Sequence, residues 1–198
     1  MSNTKITCLA CGVFRKELEA LVSQGLLDFD IRFLESMLHM NPAKLERVMD
    51  KAMPAGSTDN FLLLYGDCQP GMHEMQTREN ATKVAGMNCC EIFLGKEVYR
   101  RLQKEKAFIF LPEWAERWQE VFTHELGFNK PENAQAFLKE HLDKLVYIDT
   151  GVVPIPNKTL QDIAIFFDMP FEILHISLDI LRQEIMLALQ KFIKGGAQ

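Results

Sequence analysis

Phe61-Leu62-Leu63-Leu64-Tyr65-Gly66-Asp67-Cys68-Gln69-Pro70-Gly71 reads as a buried strand that breaks into a polar loop carrying a cysteine. An apolar run of this length, closed by Gly and Pro, suits a central strand of a parallel sheet, whose two faces are both covered by helices. Ligands of open parallel sheets bind beyond the carboxyl ends of the strands, where Asp67 and Cys68 would lie.

Working outward, Lys5 to Ala10 reads as a first strand, and Gly12 turns the chain into a helix from Val13 to about Gln24, stopped by Gly25. Phe29 to Leu34 alternates as a second strand, and Asn41-Pro42 has the residues of an N-cap and first helical turn. Met72 to Val84 is weakly helical, without a clean apolar stripe. Asn88 reads as the N-cap of a helix from Cys89 to about Lys104. Strands follow at Ala107 to Leu111, Val146 to Ile148 and a short stretch near Glu172 to Ile176. Helices are expected over Glu113 to Leu126, Pro131 to Leu145, Thr159 to Phe167 and Leu178 to Ile193. Strands alternating with helices predict a single α/β domain over 1–198, a three-layer Rossmann-like fold with a mostly parallel sheet flanked by helices. Cys11-Gly12, Glu35 to His39, Asp67-Cys68, Pro112 and Asp149-Thr150-Gly151 would then share one rim.

The 198 residues are 47% hydrophobic and 25% charged, ordinary globular values. A formal net charge of -5 argues against nucleic acid as a partner. The run Ile6 to Ala10 is too short for a signal-peptide core or a membrane span. Five cysteines, an odd number without a secretory signal, point to a reducing cytoplasm and need an account other than a disulfide framework.

Strand geometry sorts them. Cys8 and Cys11 stand three apart, so within a strand they would face opposite ways, and Cys8 reads as a small core hydrophobe. Cys11 ends its strand. Cys68 sits in the central loop, and Cys89 and Cys90 open a helix whose backbone N–H groups favour a thiolate. Only one of that pair can aim into a given site. One thiol each from Cys11, Cys68 and the Cys89/Cys90 pair could therefore meet on the rim. Three thiolates so close repel unless a cation holds them, and soft thiolates suit zinc or an iron–sulfur cluster. His39, His73, Glu91 and Asp67 are candidates for a fourth ligand. Scattered cysteines lean toward iron–sulfur over a zinc ribbon.

Glu17 reads as a solvated helix face, His124 and His141 as surface residues, and His175 as a satisfied core histidine. Trp114 and Trp118, one helical turn apart, suit packing. The methionine-rich first half suits an adaptable core or an apolar binding surface. The Gly-rich nucleotide patterns are absent.

Ala10-Cys11-Gly12, Glu17-Leu18, Leu38-His39-x-x-Pro42, Tyr65-Gly66-Asp67-Cys68 with Gly71, and Cys89-Cys90-Glu91-x-x-x-Gly95 together resemble the domain of unknown function 1638 family. Phe108 to Leu111, Leu126-Gly127, Pro131 and Val146 to Gly151 continue the likeness. The resemblance implies Cys11, Cys68 and Cys89 as the recurring cysteines and leaves Cys8 and Cys90 incidental. Gln69-Pro70 departs from a small, glycine-rich continuation of the loop, and Asn88 stands where some relatives carry histidine. The resemblance also implies a role accessory to corrinoid-dependent methyl transfer, with corrinoid methyltransferase components as partners.

The expectation is thus a cytoplasmic α/β protein holding iron–sulfur or zinc on Cys11, Cys68 and Cys89, with His39 or Glu91 assisting and Gly12, Asp67 and Gly71 shaping the pocket. Its partner would be a small-molecule substrate or a protein, with homo-oligomer formation left open. Two alternatives stand beside it: metal-free thiol chemistry on Cys68 or Cys11 tuned by His39 or Asp67, and a noncatalytic binding module.

Overall fold

The computed structural model describes residues 6–195. The chain has an α/β fold of the Rossmann-like, three-layer class, and every paired strand is parallel to its neighbour. The strands form two sheets where one was expected, and the chain divides accordingly into two compact units. One comprises the residues up to Gly95 with those from Leu178 onward; the other is Lys96–Ser177.

In the first unit, strands β1 (Ile6–Cys11), β2 (Asp30–Leu34), β3 (Asn60–Leu64) and β4 (Ala81–Lys83) lie in the order β2-β1-β3-β4. β3 is flanked on both sides, by β1 and β4, and Phe61 to Leu64 are buried, as the uninterrupted apolar run predicts. Helix α1 (Arg15–Ser23) follows β1, and α2 (Pro42–Ala52) starts at the expected cap, Asn41 Oδ1 accepting from the Lys44 N–H at 3.0 Å. A short α3 (Met72–Gln76) precedes β4. The weakly helical reading of Met72 to Val84 thus splits into one helical turn and a strand. β4 has only three residues, two of them polar, too few to show period-two alternation; it exists because the exposed edge of β3 pairs with it, Leu62 opposite Thr82.

Helix α4 (Cys89–Lys104) is broken at Gly95, whose φ of 71° and ψ of 158° lie where glycine is at ease and other residues are strained. The break coincides with the boundary between the units. A Cβ on Gly95 would lie 3.5 Å from Ile180, in the helix that brings the chain back, α8 (Asp179–Gly195). α8 packs beside β4, where the Thr82 hydroxyl donates to the Ala188 carbonyl at 3.3 Å. Phe14 stacks on Phe93 at 4.7 Å, and Met37, Met49, Met53, Met72 and Met75 are buried, so those methionines serve the core.

The second unit orders its strands β5 (Ala107–Phe110), β6 (Lys144–Asp149) and β7 (Phe171–His175) as β5-β6-β7. Helices α5 (Pro112–Glu116), α6 (Pro131–His141) and α7 (Asn157–Phe167) accompany them. The expected helix after Pro112 is interrupted, its second half being a π-helical segment, Glu120–Glu125. Phe110, Phe122 and Phe167 pack as one aromatic core. Pro112 and Asp149 to Gly151 end strands of this sheet and not of the sheet that carries Cys11 and Cys68.

His175 departs from its core assignment. Its side chain is 73% exposed, and Nδ1 lies 2.7 Å from Asp149 Oδ2, its register partner across β6 and β7. The burial pattern of β7 alternates weakly because it is an edge strand, which the apolar neighbours of His175 in sequence do not reveal. Among the described residues, no helix is long and apolar enough to cross a membrane.

Candidate functional site

Three strand ends build the site, all in the first unit. β1 ends at Cys11, buried, with Sγ 3.9 Å from the Ser36 carbonyl oxygen. Gly12 lets the turn pass close to the end of β2, since a Cβ there would lie 3.0 Å from the Leu34 oxygen. The Ser36 carbonyl also sits 2.8 Å from His39 Nδ1, so this backbone oxygen orients the imidazole.

β3 delivers Tyr65, Gly66, Asp67 and Cys68. Gly66 must be glycine for space: a Cβ would fall 2.4 Å from the Met87 oxygen and 2.5 Å from the Asn88 Cα. The Asp67 N–H donates to that Met87 oxygen at 2.8 Å. From β4, Lys83 reaches across both loops with a side chain only 6% exposed. Its Nζ donates to the carbonyls of Tyr65 at 3.3 Å, Val84 at 3.2 Å and Gly86 at 2.9 Å, and lies 3.2 Å from Asp67 Oδ1. Sequence reading missed this lysine, because a three-residue strand gives no pattern that would mark its last residue as an inward-facing cation.

The loop after β4 starts α4 as a capped helix. Asn88 Oδ1 accepts from the Glu91 N–H at 2.9 Å, and Glu91 Oε2 accepts from the Met87 N–H at 2.8 Å, a variant of the reciprocal capping arrangement. Glu91 is therefore occupied in holding the loop that holds Gly66. Gly71 permits a similar local contact, its N–H donating to Gln69 Oε1 while Gln69 Nε2 donates to Met75 Sδ at 3.4 Å.

Cys11, Cys68 and Cys89 lie close enough to influence one another. Cys89 is pushed well up from the ordinary thiol range first by its hydrogen bond with Cys11, then by burial, and then by the neighbouring Cys11, Cys68 and Cys90. Cys68 is raised by burial and by Cys11, against a backbone hydrogen bond from Gly66 and the charge of Lys83, which lower it. The expected helix-terminal stabilisation of a Cys89 thiolate is overcome by these stronger effects, and only the six residues before the Gly95 break are continuous with it. Cys8 and Cys90 are buried and raised to about 12 by desolvation, as core thiols should be. All five cysteines are thiols.

Tyr65 directly follows the last residue of β3. Its side chain is buried, and the hydroxyl has no hydrogen-bond partner among the described residues. Burial raises its pKa most, followed by the fields of Cys11, Cys89, Cys68 and Cys8. The signal for it was present in the sequence as a polar-tipped aromatic at the last position of the apolar run, directly before the Gly66 turn. Among the described residues, no group of three or more His, Cys, Asp or Glu side chains is placed to hold a metal ion. Glu17 is buried in α1, not solvated.

A cleft of about 560 Å³ opens beside Cys68, lined also by Pro42, Asp67, Gln69, Pro70, Met72, His73 and Gln76. Here His73 is exposed, its Nδ1 2.9 Å from Gln76 Nε2.

The family described as "Protein of unknown function (DUF1638)" matches residues 33–185. The chain belongs to that family. The DUF1638 match takes in His39, Tyr65, Cys68, Lys83 and Cys89, whereas Cys11 and Gly12 precede it. No curated protein and no solved structure matches this DUF1638 chain.

Proposed function

We propose that this protein binds a thiophilic metal centre, an iron–sulfur cluster or zinc, through Cys11, Cys68 and Cys89. The observation that carries the reading is the mutual interaction of three thiols from the end of β1, the loop after β3 and the start of α4. Thiols that raise one another's pKa are poor nucleophiles but become good ligands once a cation offsets their charge. That favours a metal over free thiolate chemistry. The buried Tyr65 hydroxyl, left without an acceptor, fits a site that gains negative charge when loaded.

Cys68 lies on the wall of the cleft, so an open coordination position there would meet a small-molecule substrate. His39, oriented through Nδ1 by the Ser36 carbonyl, keeps Nε2 as a candidate fourth donor, in the way ligating histidines commonly give their other ring nitrogen to a backbone oxygen. Thiol ligation suits a reducing cytoplasm, and the family resemblance makes a role beside corrinoid-dependent methyl transfer the biological setting to test.

The experiment is anaerobic purification, reconstitution with iron and sulfide or with zinc, metal analysis and an absorption spectrum. Retention of metal that Cys11→Ala, Cys68→Ala and Cys89→Ala each abolish, and Cys8→Ala and Cys90→Ala spare, is the expected result. Wild-type protein that stays metal-free after reconstitution overturns the proposal.

A further inference from the structure

Lys96–Ser177 holds none of the five cysteines, yet it carries a pair of chemically active side chains of its own. β6 ends at Asp149 and β7 at His175, register partners at the carboxyl ends of adjacent parallel strands, where open α/β sheets bind their ligands. Nδ1 of the imidazole lies 2.7 Å from Asp149 Oδ2, and Asp149 Oδ1 accepts from the Gly151 N–H at 2.9 Å. The carboxylate is thus held on both oxygens with its side chain 12% exposed, while the ring is 73% exposed. An ionised carboxylate can only accept, so Nδ1 carries the hydrogen and Nε2 of the neutral ring keeps its lone pair. Joining the strands does not require this arrangement. β6 and β7 pair along five register positions, and toward their amino ends the side-chain link is a permanently charged lysine, Lys144, with Glu105 and Glu172 at 2.9 and 2.8 Å. The carboxyl ends carry instead an imidazole, a group that can take up and return a proton.

We infer that Asp149 and His175 form a second reactive site, in which His175 Nε2 is the general base that activates water against an uncharged acyl ester and Asp149 is the positioning residue that fixes its tautomer. Solvent reaches the exposed ring directly, so water is the nucleophile at hand. The segments that follow the three strands, Leu111, 150–156 and Ile176-Ser177, contain no lysine or arginine to offset a phosphate and include the apolar Val152, Val153 and Ile155. An uncharged ester suits such segments, and a phosphate ester does not. In the step, Nε2 takes one proton of water as the water oxygen bonds to the acyl carbon. The bond from that carbon to the leaving oxygen then breaks, the oxygen keeps the electron pair, and Nε2 returns the proton to it or to solvent. Ester and water become acid and alcohol, and no redox partner is needed. Asp149 stabilises the imidazolium formed in between.

The probe is p-nitrophenyl butyrate, given to the full chain with p-nitrophenyl phosphate in parallel. Wild-type protein should release nitrophenol from the butyrate faster than an equal concentration of free imidazole, and His175→Gln should lower that rate about a hundredfold, the usual worth of a positioned base. Asp149→Asn should lower it about tenfold or more, because the imidazole loses its fixed tautomer. His141→Gln, at an exposed histidine of the same unit, should leave the rate unchanged. Nitrogen NMR of labelled protein at alkaline pH reads the positioning directly: His175 should carry its hydrogen on Nδ1 in wild type and shift toward Nε2 in Asp149→Asn. A role of Asp149 in packing alone would not move that tautomer while the rest of the amide spectrum stays in place.

Wild-type rates no higher than those of free imidazole would overturn the inference, as would a His175→Gln variant as active as wild type. A burst of nitrophenol with an acyl group left on His175 would show Nε2 attacking the ester itself and would overturn the general-base assignment. Faster release from the phosphate would overturn the substrate class. A wild-type His175 with its hydrogen on Nε2 would remove the part given to Asp149, whether or not Asp149→Asn folds. The His175→Gln comparison and the tautomer stand apart from the metal analysis of the thiol site, so either reading can fail without the other.

Discussion

Replacing Lys83 by methionine keeps the length of the side chain and removes its charge and donors. Four acceptors converge on Nζ, three backbone carbonyls and one carboxylate oxygen, and their contributions differ. The Asp67 side chain is 58% exposed, so its ion pair with Lys83 is screened and contributes about 0–1 kcal/mol. The Gly86 carbonyl, at 2.9 Å, makes the best hydrogen bond, about 1.5–3 kcal/mol for a charged donor, and the two longer ones add about 1 kcal/mol together. Lys83→Met should therefore cost about 3–4 kcal/mol, whereas Asp67→Asn should cost under about 1 kcal/mol. Urea unfolding followed by circular dichroism measures both. If Asp67→Asn is as damaging as Lys83→Met, the ion pair and not the carbonyl clamp holds the two loops together. If Lys83→Met costs less than about 1 kcal/mol, the clamp itself is refuted.

Gly66→Ala should destabilise the first unit by about 2–3 kcal/mol and impair metal uptake, because the added methyl meets unyielding backbone at Met87 and Asn88; denaturant titration and metal analysis on the same sample check it. Alkaline pH should destabilise the protein through Cys8. Its folded pKa is raised from the ordinary 9.0 to about 12, so the unfolded chain loses the proton first; the stability tied to that proton is full below about 9 and is lost as pH rises toward about 12. The slope is about 1.4 kcal/mol per pH unit, and unfolding of wild type against Cys8→Ala at about pH 8 and about pH 10 should show the variant losing less by roughly that amount.

Much of the first sheet is legible in the chain because its signals are local. The apolar run of β3, the Asn41 and Asn88 caps and the strand-ending position of Cys11 all follow from residues within a few positions of each other. The same logic separates Cys8 from Cys11, since the period of a strand places them on opposite faces. What local reading lacks is partnership. β4 is a strand because β3 offers it an edge, Lys83 is buried because two loops bring it carbonyls, and Glu91 closes a helix cap instead of facing a ligand. The boundary between the units falls at Gly95, a break inside an otherwise acceptable helical pattern. His175 shows the reverse error, in which apolar neighbours imply burial and an edge strand leaves the ring in water.

The chain leaves the first unit at Gly95 and rejoins it at Leu178, and Ile180 lies beside the point of departure. Lys96–Ser177 is thus spliced into its host like a cassette between two neighbouring ends. Every residue assigned here to the thiol site, Cys11, Tyr65, Cys68, Lys83 and Cys89, belongs to the host. Changes confined to the cassette, its Asp149–His175 pair included, leave every one of those residues in place.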